Sequence, residues 1–223
     1  MEPLEDCCMQ RNTSKIMSKK TSQNTSRITL RKTLRALRNG LPELQQQHAS
    51  FAVRDNLLSL PDITNASSIA CYLPNDGEVD LRPFMHACWE LNKASALHTS
   101  LPVLHPVCKG HLLFLRYTNK TPMRMNKYNI EEPVLACPDV IPTFHHQVIL
   151  MPLVGFDANG NRLGMGGGYY DRTLASIQTQ TIRPKLIGIA HDCQQVDQLP
   201  VQHWDIPVNR IVTPTQQLSF NRT

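Results

Sequence analysis

The residue types that could do chemistry concentrate between Gly155 and Arg172, in the run Gly-Phe-Asp-Ala-Asn-Gly-Asn-Arg-Leu-Gly-Met-Gly-Gly-Gly-Tyr-Tyr-Asp-Arg. Glycine carries no Cβ, so successive backbone N–H groups in such a segment can converge on phosphate oxygens. Arg162 adds a fixed positive charge, and Asp171 at the end of the run could hold a divalent cation. Together they suggest a nucleoside triphosphate with Mg2+. The segment is not a Walker A loop, because no Gly-Lys-Ser/Thr follows the glycines. Nor is it the dinucleotide fingerprint: position 169 is Tyr, and an Asp157-Ala158-Asn159-Gly160 turn separates the preceding strand from the glycines. A flexible linker would not interleave Arg162, Tyr169, Tyr170 and Asp171 with its glycines.

Other constellations are sparser. Asp76-Gly77-Glu78 follows an apolar strand and reads either as a solvated turn or as a carboxylate at the mouth of a ligand cleft. His191-Asp192 also follows a strand and reads equally as a capped helix start. His145-His146 has no third ligand at metal spacing and is expected at the surface. Trp204-Asp205-Ile206-Pro207 is a turn, or else brings Asp205 to the metal. No Gly-x-Ser-x-Gly elbow occurs and no cysteine has an obvious histidine partner, so nucleophilic catalysis is unsupported. The seven cysteines form no C-x-x-C pair and are odd in number, so neither a zinc site nor a disulfide framework is indicated, and scattered free thiols fit a reducing cytosol. Cys71 sits in an apolar run and is expected to be a small buried hydrophobe.

These residues must be positioned by a chain of 223 residues, enough for one large domain or two small ones. No apolar run reaches the roughly 18 residues that would cross a bilayer. The acidic start, Met1 to Asp6, lacks the apolar region of a secretory signal. Residues 1–40 hold nine Lys/Arg against three Asp/Glu, a balance of +6, while the remainder holds fourteen against fifteen, a balance of −1. The basicity therefore belongs to an N-terminal arm. That arm contains no Phe, Tyr or Trp, which argues against a nucleic-acid partner and for a solvated tail.

Residues 1–24 are polar and without apolar periodicity and read as disordered, with residues 25–223 as one α/β domain. Leu30, Leu34 and Leu37 predict the apolar face of a first helix, with Arg31, Lys32, Arg35 and Arg38 around it and Asn39-Gly40 ending it. A second helix is expected over 43–59, with Leu44, Phe51, Leu57 and Leu58 inward. Strands are expected at 69–73, 100–104, 112–117, 148–154, 186–190 and 210–212, with Pro102 placing the second at a sheet edge or end. Helices are expected over 82–93 and 170–178. Continuous apolar strands alternating with helices predict a three-layer, Rossmann-like α/β fold, a mostly parallel sheet with helices on both faces. Ligands in such folds sit beyond the carboxyl ends of strands, where Asn75–Glu78, the glycine segment and His191-Asp192 all fall.

The segments Met151 to Asp157 and Gly160 to Arg172 resemble the 5-formyltetrahydrofolate cyclo-ligase family, also called methenyltetrahydrofolate synthetases. The resemblance extends through Tyr72-Leu73, Asp76 to Asp80, Leu101 to Leu104, and Pro200-Val201 with Trp204 to Pro207, and covers roughly residues 27–215. It implies a cytoplasmic, monomeric enzyme acting on small molecules, with no nucleic acid or membrane partner. The implied reaction converts 5-formyltetrahydrofolate to 5,10-methenyltetrahydrofolate through a phosphorylated formyl intermediate, with ATP as co-substrate, Mg2+ as cofactor, and ADP and phosphate released. Carried over by position, Arg27 and Arg162, Leu163, Gly164, Met165, Gly166, Gly167, Gly168, Tyr169 and Tyr170 would bind ATP. Arg162 and Tyr170 would be catalytic. Leu73, Glu78 and Met165 through Tyr169 would contact the folate, and Asp171 and Asp205 would hold Mg2+. Family members often carry lysine where this chain has Gln23 and Gly167; Lys20 or Arg31 are the available substitutes.

Overall fold

The computed structural model describes residues 26–91, 97–177 and 179–220; Gln23 and the polar arm expected over 1–24 lie outside these. In chain order the elements begin with α1 (26–39), α2 (Glu43–Leu58), α3 (Pro61–Thr64), β1 (Ser68–Ala70), α4 (Arg82–Leu91), β2 (His98–Leu104) and β3 (Leu112–Tyr117). There follow β4 (Met123–Met125), β5 (Glu131–Pro133), β6 (Val140–Ile141), β7 (Val148–Pro152), β8 (Gly155–Phe156) and β9 (Arg162–Leu163). The chain ends with α5 (Tyr169–Ala175), β10 (Lys185–Ile189), β11 (Arg210–Val212) and β12 (Gln217–Ser219).

Eight strands form one sheet in the order β12-β11-β10-β7-β1-β2-β3-β6. The five central strands, β11 to β2, are parallel, and the flanking pairs β11–β12, β2–β3 and β3–β6 are antiparallel. The parallel centre explains the unbroken apolar run of β7 and the apolar run of β10 after Lys185: both faces are covered. Alternation along β7 shows how. Val148 and Leu150 point to a layer containing Val53 and Leu57 of α2, Ile63 of α3 and Phe84, Met85 and Cys88 of α4. Ile149 and Met151 point to the opposite layer, with Leu174 of α5, Ile177, Ile206 and Val208. The expected α/β architecture, helices on both faces, is present.

Several local expectations are corrected. Pro102 does not put β2 at the sheet edge, since β1 and β3 flank that strand, but it does fall where the pairing with β1 has ended. The β1–β2 register ends at Ala70 opposite Ser100, with Cys71 N–H donating onward to Ser100 O, so Pro102 lies beyond the last paired residue of β1. There it faces β3 on one side and needs no donor on the other. In α2 the buried residues are Ala49, Ser50, Val53 and Leu57, while Leu44 and Phe51 are exposed. His146 is buried, contrary to its expected surface place. Its Nε2 pairs with Ser100 Oγ at 2.7 Å, and burial pushes the imidazole down to about 4.

The correction that matters most concerns α1. Leu34 is buried but Leu37 is half exposed, and the inward face is instead Arg27, Arg31, Leu34 and Arg38. These positions repeat at helical spacing, so the helix presents a row of guanidinium groups to the carboxyl ends of the strands. Arg38, completely inaccessible to solvent, is fully used there: it donates to Asp76 O at 2.7 Å, Leu153 O at 3.1 Å and Asp76 Oδ2 at 2.9 Å. Such multiple bonding is what makes burial of an arginine tolerable.

Candidate active site

The glycine segment leaves the sheet at the carboxyl end of β7. Asp157, fully buried, shapes the turn by accepting from Asn159 N at 2.9 Å, Asn161 N at 3.1 Å, Asn161 Nδ2 at 2.9 Å and, from a distant loop, Leu199 N at 3.1 Å. The segment then runs through β8 and β9 as a short antiparallel pair and enters α5. Gly166 and Gly168 hold φ of 100° and 66°, a backbone that side-chain-bearing residues rarely adopt, so the loop's course demands glycine at both.

The loop is a partition between two cavities. Gly164, Gly168 and Asp171 line both. On one side is an open cavity of about 890 Å3 bounded by Arg27, Arg31, Arg172, Trp204 and Asp205. On the other is a cavity of about 410 Å3 whose walls are Tyr72, Leu73, Leu101, Pro102, Leu112 and Tyr170, with Glu78, Glu131, Glu132, Arg162 and Asp171 as charged groups.

The polar cavity is wired by ion pairs. Arg27 Nη1 donates to Asp205 Oδ2 at 2.5 Å and Nη2 to Oδ1 at 3.1 Å, a two-point contact, and Nη1 also reaches Pro200 O at 2.7 Å. Arg162 Nη2 donates to Asp171 Oδ1 at 2.6 Å while its Nε holds Ile206 O at 3.0 Å; Ile206 N closes the circuit on Asp171 Oδ1 at 3.1 Å. Arg31 differs. Its Nε donates to Gly164 O at 2.8 Å, and no carboxylate pairs with it among the described residues. Burial and the neighbouring Arg27 both hold its guanidinium below the usual arginine range. It is an under-compensated cation beside Gly166, facing the cavity.

The apolar cavity has a different electrostatic character. Glu78 is deeply enclosed, and loss of solvent pushes its carboxyl up to about 7, against the pull of Arg38 3.8 Å away and of Asn75 N, which donates to Oε2 at 3.1 Å. Asp76 next door is driven the opposite way, to about 2, by hydrogen bonds from Arg35, Asn39 and Arg38. Enclosure also raises the Tyr72 and Tyr170 hydroxyls well above the usual range. The residue at the cap of the short 192–194 turn is His191, not Asp192: its N–H donates to Gln194 Oε1 at 2.8 Å, and its Nε2, 3.2 Å from Gly77 O, braces the Asp76–Glu78 turn.

The predicted site residues are therefore brought together, on two sides of one wall. Arg27 and Asp205 line the polar cavity, Leu73, Glu78, Met165, Gly167, Tyr169, Tyr170 and Arg162 line the apolar one, and Asp171 touches both. Leu163 lines neither; its side chain is in the core and its carbonyl accepts Val154 N. Reasoning from sequence missed Arg38, Arg172, Pro102 and Tyr128 as parts of the site. Arginines recurring at 27, 31 and 38, on one helical face with Leu34, were the available signal for Arg38.

A glycine-walled cavity holding cations and carboxylates, set against a more apolar cavity at the carboxyl ends of the strands, is the arrangement of an α/β enzyme with its site at the sheet's carboxyl edge. Comparison with known proteins makes this specific. The model of the 5-formyltetrahydrofolate cyclo-ligase family matches residues 23–214. The chain is 43% identical to a 5-formyltetrahydrofolate cyclo-ligase of Haemophilus influenzae, over 78% of this chain and 90% of that one. It is 42% identical to that of Escherichia coli K12, over 82% and 97%. Among solved structures, the 5,10-methenyltetrahydrofolate synthetase of Aquifex aeolicus superposes with a TM-score of 0.74 at 29% identity, covering 88% of this chain and 94% of that one. The chain belongs to the 5-formyltetrahydrofolate cyclo-ligase family.

Proposed function

We propose that this enzyme cyclises 5-formyltetrahydrofolate to 5,10-methenyltetrahydrofolate with ATP and Mg2+, releasing ADP and phosphate. The observation that carries the reading is the shared wall: one glycine segment, ending in Asp171, borders both a cationic cavity and an apolar one. ATP occupies the polar cavity, its phosphates against the glycine backbone, Arg27 and Arg31. The reduced pterin occupies the apolar cavity against Leu73 and Tyr72, with Glu78 accepting from its ring N–H and amino groups. A carboxylate is suited to that task because it only accepts, and the pterin edge donates.

The formyl amide oxygen is a weak nucleophile and a very poor leaving group. Its attack on the γ-phosphorus, with ADP departing, converts it to a phosphate ester on an iminium-like carbon. The N10 amine then attacks that carbon, the C–O bond breaks, and phosphate leaves as the ring closes. Phosphoryl transfer of this kind requires positioning and charge neutralisation more than a protein nucleophile. Arg162 stands where the two cavities meet, and Tyr170 presents a hydroxyl that enclosure keeps protonated and able to donate.

Asp171 and Asp205 fit a magnesium ion. Magnesium is held by one or two carboxylates with phosphate oxygens and waters completing an octahedron, not by an all-protein cage. The two aspartates on the polar cavity match that donor set. When bound, the ion supplies charge neutralisation for the phosphates. Each aspartate already neutralises an arginine, Arg27 or Arg162, so these cations are held in place beside the site. The enzyme acts in the cytoplasm as a monomer, consistent with free thiols at Cys71, Cys88, Cys108, Cys137 and Cys193.

The direct test mixes protein, 5-formyltetrahydrofolate, ATP and Mg2+ and follows methenyltetrahydrofolate absorbance. Product is expected only when nucleotide and metal are both present. Turnover that persists in excess chelator, or without nucleotide, refutes the reading.

A further inference from the structure

The β4–β5 hairpin stands apart from the main sheet, its two strands paired only with each other. Its base is fixed by Glu132, a buried carboxylate that accepts from Leu104 N at 3.1 Å, Arg124 Nη2 at 2.9 Å and Asn126 Nδ2 at 3.2 Å. Its tip is shaped by Asn126, whose Oδ1 accepts Tyr128 N at 2.9 Å and Ile130 N at 3.2 Å, and by Asn129 at φ 56°. Asn126, Tyr128, Ile130 and Glu131 all line the apolar cavity.

Tyr128 reaches from this tip to the glycine segment. Its hydroxyl lies 2.6 Å from the Tyr169 hydroxyl, and the rings meet edge to face with centroids 6.1 Å apart. Half of Tyr128 is exposed, so burial does not account for it. Tyr169 is itself held from the nucleotide side: the Arg172 guanidinium lies 5.7 Å from its ring centre, and Arg172 donates to Gly110 O at 2.9 Å and to Gly167 O while lining the polar cavity. The fastening between hairpin tip and glycine segment thus rests on a bond between exposed hydroxyls, with Lys127 of the tip interacting with both tyrosines, a reversible contact.

We propose that the hairpin is a flap over the folate cavity and that Tyr128, hydrogen-bonded to Tyr169, latches it shut while the phosphorylated formyl group awaits ring closure. The inference rests on the reaction proposed above. The phosphate ester has two possible attackers. Attack by N10 closes the ring and expels phosphate. Attack by water expels the same phosphate but returns the formyl amide, with the water proton released to solvent; the sum is ATP plus water giving ADP and phosphate, with no folate product. Exclusion of water from a closed site is what separates these outcomes. Tyr128 is therefore a positioning residue for the coupling of ATP consumption to cyclisation.

The test is Tyr128→Phe, which keeps the ring contact and removes the hydroxyl, with Tyr128→Ala as a second variant. ADP and methenyltetrahydrofolate are quantified in the same reaction, and nucleotide binding is measured by calorimetry without folate. The ratio of ADP to folate product should rise roughly threefold or more in the Phe variant and further in the Ala variant, with nucleotide affinity unchanged. A ratio that stays at the wild-type value in the folded Phe variant overturns the latch, including the case where turnover slows but stays coupled. Wild-type protein that forms no methenyl product from ATP would overturn the underlying reaction instead, and is seen before any variant is made.

Discussion

The two cavities on either side of the glycine segment solve opposite problems. The polar one is rich in charge, and both of its carboxylates are already matched: Asp205 by Arg27, and Asp171 by Arg162 from the other side of the wall. The apolar one holds Glu78, deeply buried, with its carboxyl pushed up to about 7 by desolvation. A polyanion arriving in the first cavity meets cations already oriented for it, so little reorganisation is needed. In the reaction proposed above, a pterin arriving in the second meets an acid poised between neutral and ionised, and its own donors favour the ionised form. Binding on one side is thus governed by fixed charge, and on the other by an ionisation that the ligand itself shifts.

If that contrast holds, breaking the polar side should cost most. Asp171→Asn keeps an acceptor for Arg162 and Ile206 N but removes the negative charge, so turnover should fall about a hundredfold or more, a larger effect than the loss of melting temperature from leaving buried Arg162 without its counter-charge. Near-normal turnover of this variant at limiting Mg2+ would remove Asp171 from the metal site.

Glu78→Gln breaks the apolar side and should cost about 2–4 kcal/mol in kcat/KM for the folate, leaving ATP binding without folate unchanged. The pH behaviour sharpens the point. Because the folded carboxyl is raised from 4.5 to about 7, its contribution to stability is fully present below 4.5 and is lost as pH rises through 7. The wild-type enzyme should therefore lose on the order of 3 kcal/mol of folding stability to this group between pH 4.5 and 8, and the Gln variant should not. Wild-type kcat/KM for the folate should rise across pH 7 as the carboxylate forms. A Gln variant that loses ATP binding instead would assign Glu78 to the other cavity.

These predictions draw on a site that was only partly legible in the sequence. The central strands announced themselves because a parallel sheet covered on both faces needs unbroken apolar runs such as Val148–Met151 and Leu186–Ile189. The glycine segment was equally legible, since its composition has few other uses. The short strands β4, β5, β6, β8, β9 and β12 were not, because two or three residues carry no periodicity to detect. Leucine spacing misassigned the working face of α1: a helix that turns arginines inward is invisible to a search for apolar stripes. Arg38 packs where a leucine was expected, and it links Asp76 and Glu78 to the glycine segment, its Nη2 lying 3.7 Å from Met165 Sδ. Tyr128 was hidden for another reason: it reaches the site from a hairpin 41 residues away from Tyr169 in sequence.

Smaller effects separate the contributions of α1 and the arm. Arg31→Ala should raise the KM for ATP about tenfold, the value of one charge-assisted contact, and leave the KM for folate alone. An unchanged KM for ATP would place the phosphates away from Arg31. Removing residues 1–20, which have no apolar face to bury, should change kcat and either KM by less than about twofold. A larger loss would give the arm a share in the nucleotide site.

The account's central claim is that a phosphoryl group crosses the glycine wall onto the formyl oxygen before the ring closes. Oxygen-18 placed in the formyl group of 5-formyltetrahydrofolate tests it directly, with mass analysis of the inorganic phosphate released in a single turnover. The account predicts that the label appears in phosphate in proportion to the methenyl product. Label recovered in water, with unlabelled phosphate, would contradict it.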